Sequence, residues 1–147
     1  MANAANWHAV LEKLTRVLAK TGNEGWLVGG CLRDALLSLP IADVDVAVTS
    51  APLAAAERLA RLLPASVARL GHDTIRLVPR RAPDVHLDLT PLQGSSIADD
   101  LARRDFTVNA MALPLISRDE WTGLLDGQRE DMPDLLDPFG GRGDVMA

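Results

Sequence analysis

Asp43 and Asp45 stand one residue apart in "IADVDV", residues 41–46. Val44, Val46 and Val48 favour an extended strand, in which side chains alternate between faces. The valines then share one face, and Asp43, Asp45 and Ala47 the other. Two carboxylates held side by side repel unless a cation lies between them. Hard oxygen donors on a rigid strand suit Mg²⁺, which keeps waters and completes its shell from substrate phosphates. A third carboxylate on a paired strand would complete a site for metal-assisted phosphoryl chemistry. Asp88 in "VHLDLT" is the candidate, whereas Asp84 lies nearer a turn. Taken alone, a D-x-D pair reads first as ordinary strand-end carboxylates, and the alternative for Asp88 is a solvated strand residue.

A second group of residues points to phosphate. "LVGGCLRD", residues 27–34, runs from an apolar strand through two glycines into a helix. Gly29 and Gly30 would let backbone approach a phosphate, and the first N–H groups of a helix bind anions. Arg33, one turn on, adds a guanidinium suited to the same ligand. The segment matches neither the P-loop pattern nor the dinucleotide-binding pattern. By itself it is also an ordinary Gly-Gly turn with a surface arginine.

These residues need elements to position them. Trp7, Val10, Leu11, Leu14, Val17 and Leu18 recur at helical spacing, and Gly22 terminates that helix. Residues 26–28 form a short buried strand. Leu32, Ala35, Leu36 and Leu39 mark a helix over 31–39, stopped by Pro40. The Asp-bearing strand covers about 43–48. Thr49 or Ser50 caps the next helix, which has Pro52 in its first turn, Leu53, Ala56, Ala60 and Leu63 inward, and an end before Pro64. Residues 65–92 alternate as strands, with a turn over 79–83 and His86 and Asp88 on one face. "SSIADDLARR" reads as a serine-capped helix, and "NAMALPL" leads into another strand. Residues 117–134, with Gly123, Gly127 and Pro133, read mainly as an inserted loop. The order predicts one α+β (mixed α/β) domain over 1–147 without internal repeats.

Bulk properties limit the function classes. The chain has 147 residues, 48% of them hydrophobic, a formal net charge of −5 and a mean hydropathy of +0.07. That is globular rather than disordered composition. No apolar run is long enough to span a bilayer, so a cytoplasmic protein with no membrane partner is expected. The single cysteine, Cys31, excludes an intramolecular disulfide and is expected in the core, as are Trp7 and Trp26. An acidic chain does not attract nucleic acid through its bulk field. Contact with a polyanion falls to Arg80–Arg81, to Arg103–Arg104, or to a bound divalent metal. His8, His72 and His86 are scattered, without close ligand spacing.

Together, "WLVGGCLRDALLSLPIADVDVAVTS" (26–50), "DDLARRDFTVNAMA" (99–112) and "LLDPFGG" (135–141) resemble, in order and spacing, the signatures of the class II tRNA nucleotidyltransferase and bacterial poly(A) polymerase family. The resemblance implies a polymerase-β-like head, a short mixed sheet flanked by helices. It implies transfer of AMP or CMP from ATP or CTP to an RNA 3′ hydroxyl, usually of tRNA, with two Mg²⁺ ions. Asp43 and Asp45 would hold the metals. Gly29, Gly30 and Arg33 would lie along the triphosphate. Arg104, Asp105 and Asn109 would contact the nucleotide's phosphates or ribose. Asp88 occupies the place of an acidic residue that orients or deprotonates the attacking hydroxyl, although "TPLQGSS" departs from the family's usual continuation of that strand. No base-selecting motif of the family's neck follows residue 112, so the neck, body and tail are expected to be absent. Two alternatives stand beside this reading: a nucleotide- and Mg²⁺-binding fragment without turnover of its own, and a nucleotidyltransferase acting on a small molecule. The sequence does not set the oligomeric state, nor choose among CCA, A and poly(A) addition.

Overall fold

The computed structural model describes residues 2–128 and 131–147, with side chains from Trp7 onward in that range. The elements in chain order are α1 (Ala2–Lys20), β1 (Gly25–Val28), α2 (Gly30–Leu36), β2 (Asp43–Val48), α3 (Pro52–Leu62), β3 (Ala65–Arg69), β4 (Ile75–Pro79) and β5 (His86–Pro91). There follow α4 (Ile97–Ala102), a 3-10 turn (Thr107–Asn109), β6 (Ala112–Pro114), α5 (Arg118–Leu125) and α6 (Gly141–Met146). Six strands make one mixed sheet in the order β3-β4-β5-β2-β1-β6. The central pair β2–β5 is parallel and the other pairs are antiparallel. The α+β class with helices against a short mixed sheet is therefore observed. No described helix is long and apolar enough to cross a membrane.

The two faces of the sheet are unequal. Val44, Val46 and Val48 join Leu77, Leu87 and Leu89 under α1, α2 and α3 in the main core. Trp7, Leu11, Leu14 and Leu18 supply the buried stripe of α1, each leucine contributing roughly 1.5–3 kcal/mol by its removal from water. The Trp7 indole donates to the Ile41 carbonyl at 3.0 Å, fixing α1 to the segment that leads into the strand carrying the aspartates. The opposite face has a smaller apolar patch, Trp26, Val28, Ala47, Leu101 and Ala112, with α4 over it. Trp7, Trp26 and Cys31 are buried as expected. Desolvation pushes the Cys31 thiol up to about 12, which leaves it no thiolate for nucleophilic work.

α4 starts where the sequence places it. The Ser96 hydroxyl accepts from the Asp99 amide at 3.1 Å. Ser96→Ala should lower global stability by about 1 kcal/mol, the usual worth of an N-cap, read from urea denaturation; no change in the midpoint would remove the cap from the account.

Three local expectations need correction. Pro40 does not end α2. The helix stops at Leu36, where Ser38 turns left-handed (φ 57°) and the Leu39 amide reaches the Asp34 carbonyl at 2.8 Å, a Schellman-type closure. Neither Thr49 nor Ser50 caps α3, whose N-cap is Ala51. Both hydroxyls instead bond to Asn23 Oδ1, at 2.9 and 2.7 Å, tying the end of β2 to the turn before β1. Residues 117–134 are not all loop, since Arg118–Leu125 is the helix α5 and the other described residues are turn or coil. The helix buries Trp121 and Leu124, and the Trp121 indole donates to Leu115 O at 2.8 Å. In α3 the fully buried residues are Ala55, Ala56 and Leu59, with Leu53, Ala60 and Leu63 partly buried against the core.

Candidate active site

The parallel register of β2 and β5 decides where the carboxylates meet. Asp45 lies opposite Asp88, and Asp43 opposite His86. Asp45 also faces Val28 across β1, and Asp88 faces Arg76 across β4. One cross-strand row therefore reads Arg76, Asp88, Asp45, Val28, on the face away from the valines. A parallel pair keeps equal steps along both strands, so D-x-D and H-x-D align residue for residue.

Exposure is graded along this row and the next. The Asp88 side chain is 12% exposed and that of Asp43 60%. Asp88 is thus not a solvated strand residue. Arg76 grips it bidentately, Nε to Oδ1 at 2.9 Å and Nη2 to Oδ2 at 3.0 Å. His86 Nε2 lies 3.0 Å from Asp43 Oδ1 and 3.9 Å from Asp88 Oδ2. Burial raises the Asp45 carboxyl above the usual carboxylate range. The Asp88 charge adds to the rise, Arg104 opposes it, and Asp43 adds further.

The glycine turn closes this arrangement from above. β1 ends at Val28, opposite Asp45, so the Gly29–Gly30 turn passes beside the aspartates. Gly29 has φ +75° and ψ −146°, a region essentially reserved to glycine. A Cβ there would lie 3.5 Å from Asp45 Oδ2 and 3.6 Å from Arg104 Nη1. Arg104 is aimed by Asp100, whose Oδ1 accepts from Nε at 3.1 Å and lies 3.0 Å from Nη2 in an ion pair. Asp100 is 2% exposed, and its Oδ2 accepts the Gln93 amide at 2.9 Å. Arg33 folds back over Gly30, where a Cβ would come within 3.0 Å of Nη2. Its Nη1 donates to Asn109 Oδ1 at 3.2 Å, and its Nε to Asp34 Oδ1 at 3.1 Å.

The "LLDPFGG" segment holds Asn109 in place from behind. Asp137 accepts from the amides of Gly141 and Arg142 at 2.6 and 2.9 Å and so starts α6. Gly141 packs against the 3-10 turn so closely that a Cβ would fall 2.0 Å from the Thr107 carbonyl oxygen. The Thr107 hydroxyl also bonds Asp144.

Of the expected site residues, the structure gathers Asp43, Asp45, Asp88, Gly29, Gly30, Arg33, Arg104 and Asn109 around one open face. Asp105 is exposed and lies outside this network of contacts. Arg76 and Asp100 escaped the sequence reading, and His86, placed there on the face of Asp88, was given no role. For His86 and Arg76 the signal was their phase with Asp88 on alternating strands. Asp100 carried the weaker signal of an acid four residues before Arg104. Arg80 and Arg81 are exposed in their turn, as expected.

The donor set fits a hard divalent cation at Asp43 and Asp45, two carboxylates on one strand whose mutual charge a cation would relieve. Among the described residues no three His, Cys, Asp or Glu side chains converge in a metal-holding group.

Comparison with known proteins follows the same lines. Residues 25–147 match the family described as the poly A polymerase head domain. A CC-adding tRNA nucleotidyltransferase of Geobacter sulfurreducens is 39% identical over 143 residues, covering 93% of this chain and 29% of that protein. A CCA-adding enzyme of Streptococcus pyogenes is 34% identical over 141 residues, covering 86% and 34%. Among solved structures, a tRNA nucleotidyltransferase complexed with a primer tRNA and an incoming ATP analog superposes with TM-score 0.70 at 29% identity, over 90% of this chain and 36% of that one. The Thermotoga maritima CCA-adding enzyme complexed with tRNA gives TM-score 0.70 and 29% identity, over 96% and 30%. The polymerase-β-like fold expected from the sequence is the fold of these neighbours. The chain spans about a third of the length of the proteins it matches.

Proposed function

Since the chain belongs to the poly A polymerase head-domain family, whose nucleotidyltransferases generally use divalent metals, we propose that it is the catalytic head of a template-independent RNA nucleotidyltransferase. It transfers AMP or CMP from ATP or CTP to a tRNA 3′ hydroxyl, with Mg²⁺ as the metal. The observation that carries this reading is the register that sets Asp45 opposite Asp88, beside Asp43 and beneath the Gly29–Gly30 turn.

Asp43 and Asp45 would hold Mg²⁺, which when bound neutralises triphosphate charge and activates the attacking oxygen. The rest falls to the chain's own groups. The amides of the Gly29–Gly30 turn, Arg33 and Arg104 bind and align the triphosphate. Asn109, already paired with Arg33, reaches phosphate or ribose, and Asp105 meets the nucleotide from the rim. Asp88 accepts a hydrogen bond from the attacking hydroxyl and orients it toward the α-phosphorus. The O3′–P bond forms as the bond to pyrophosphate breaks, and the hydroxyl proton passes by way of Asp88 to solvent. Phosphoryl transfer depends on such placement and charge neutralisation more than on covalent help.

We assign residues 1–147 to a single head domain, with base selection and tRNA grip supplied by other parts of the family's proteins. A cytoplasmic location accords with a tRNA substrate. The purified chain should bind Mg·ATP and Mg·CTP with affinities within tenfold of one another, about 1.4 kcal/mol, because its contacts go to phosphate and ribose. Calorimetry with each nucleotide checks this, and a larger preference would mean that the head reads the base. The chain spans about a third of its relatives, which favours a second reading, nucleotide and metal binding without turnover alone. Labelled-nucleotide incorporation into tRNA lacking its 3′ end separates the two, transfer supporting the first and binding without transfer the second.

A further inference from the structure

Three carboxylates lie on one face of this sheet, Asp45 opposite Asp88 and Asp43 opposite His86, yet they are not equally available. Arg76 uses two N–H groups on both oxygens of Asp88, at 2.9 and 3.0 Å. Asp43 has His86 at 3.0 Å. Among the described residues, Asp45 alone of the three has no ion-pair partner. A bidentate guanidinium–carboxylate pair is directional; Asp88 is largely buried, while the Arg76 side chain is 35% exposed, so solvent screens the pair in part. Arg76 comes from β4, an element outside every motif that carries the family resemblance.

We infer that Arg76 is a positioning residue that occupies both oxygens of Asp88 and withholds them from the metal, so that cation binding depends on the nucleotide's phosphates. The inference rests on the proposed assignment of Asp43 and Asp45 as metal-holding residues. Its physical basis is competition for one anion. With Arg76 on Asp88, the empty site offers a cation two carboxylates, one already shared with His86. That is a poor cage for an ion that needs six oxygens, and triphosphate oxygens make up the shortfall. Without Arg76, Asp88 is an uncompensated carboxylate directly across the register from Asp45, free to turn toward a cation held by Asp43 and Asp45, with which it does not converge while Arg76 holds it. Arg76 would thereby keep free metal out of the resting site and hold Asp88 fixed for the hydroxyl.

The test is titration of the full chain with Mn²⁺, followed by the electron paramagnetic resonance signal of the free ion, with and without ATP. Arg76→Met should bind Mn²⁺ in the absence of nucleotide about tenfold more tightly than the unmodified chain. Adding Asp88→Asn to it should cancel the gain. Arg76→Lys, which keeps the charge, should stay within about threefold of the unmodified chain. If Arg76→Met does not fold, the comparison moves to Asp88→Asn alone against the neutral double variant. An unpaired Arg76 should then make the single variant several-fold weaker for Mn²⁺. No gain in Arg76→Met, a gain that survives Asp88→Asn, or equal affinities in that last comparison overturns the inference. The underlying reading is checked separately. Loss of Mn·ATP binding in Asp45→Asn supports the metal assignment, and unchanged binding there overturns it whatever the Arg76 variants do.

Discussion

Asp45→Asn is expected to abolish metal-dependent ATP binding while making the ligand-free fold more stable. Asparagine keeps the shape and removes the charge. The site then loses its central anionic ligand, and Mg·ATP affinity should fall at least a hundredfold, about 2.7 kcal/mol, by calorimetry. The gain in stability has the opposite origin. Burial and the charge of Asp88 raise the folded-state pKa of Asp45. A carboxyl whose pKa is raised on folding costs stability when ionised. That cost is absent below the ordinary carboxylate range, about pH 3.5, and complete above the folded-state value. The variant should melt higher than the parent chain at neutral pH, with the advantage disappearing in acid. An unchanged affinity for Mg·ATP would remove Asp45 from the metal site. A pH-independent melting difference would remove charge burial as the cause. The pairing of lost ligand binding with gained stability is expected where a site holds like charges ready for a cation.

Asp100→Ala should produce the largest structural loss among site variants. The side chain is buried, accepts from Arg104 Nε and the Gln93 backbone amide, and forms an ion pair with Arg104 Nη2. Removing it leaves a partly buried guanidinium without its carboxylate, an amide without an acceptor and a small cavity. Together these cost about 3 kcal/mol, read from urea denaturation. The functional effect runs through Arg104. Freed from Asp100, its Nη1 no longer has a reason to rest beside Gly29 and Asp45, and nucleotide affinity should fall about tenfold. Arg104→Met should reproduce the loss of affinity with a smaller loss of stability, because Asp100 then keeps the Gln93 amide. Equal stability losses in the two variants would mean that Asp100 acts only through Arg104.

Much of the molecule was legible in the sequence for a simple reason. Where a residue's role depends on its immediate neighbours, periodicity reveals it. The alternation of Val44, Val46 and Val48 with Asp43 and Asp45 fixes which face is buried and which is offered to a ligand. Ser96 before "IADD" marks a helix start, and Gly29–Gly30 marks the turn that a side chain would obstruct. The helix α5 was missed because Gly123 and the polar residues around it obscure a short apolar pattern. Trp121, Leu124 and Leu125 show helical spacing, but only the surface they meet beneath α1 makes that helix worth forming.

Other features had no local signature at all. The sequence by itself determined that residues 43–48 form a strand with two carboxylates on its outer face, that a glycine turn precedes a short helix bearing Arg33, and that Asp88 sits on an alternating strand. Only the tertiary structure decided that β2 and β5 run parallel in a register that sets Asp45 against Asp88 and Asp43 against His86. It likewise decided that Arg76 closes on Asp88, that Asp100 turns Arg104 inward, and that Gly141 braces the turn carrying Asn109. The reason is physical. Alternation is a property of one chain segment and shows in its own residues. Register between strands 43 residues apart is set by which faces can be buried together, and a slip by one residue would move every aspartate to the core side and every valine into water.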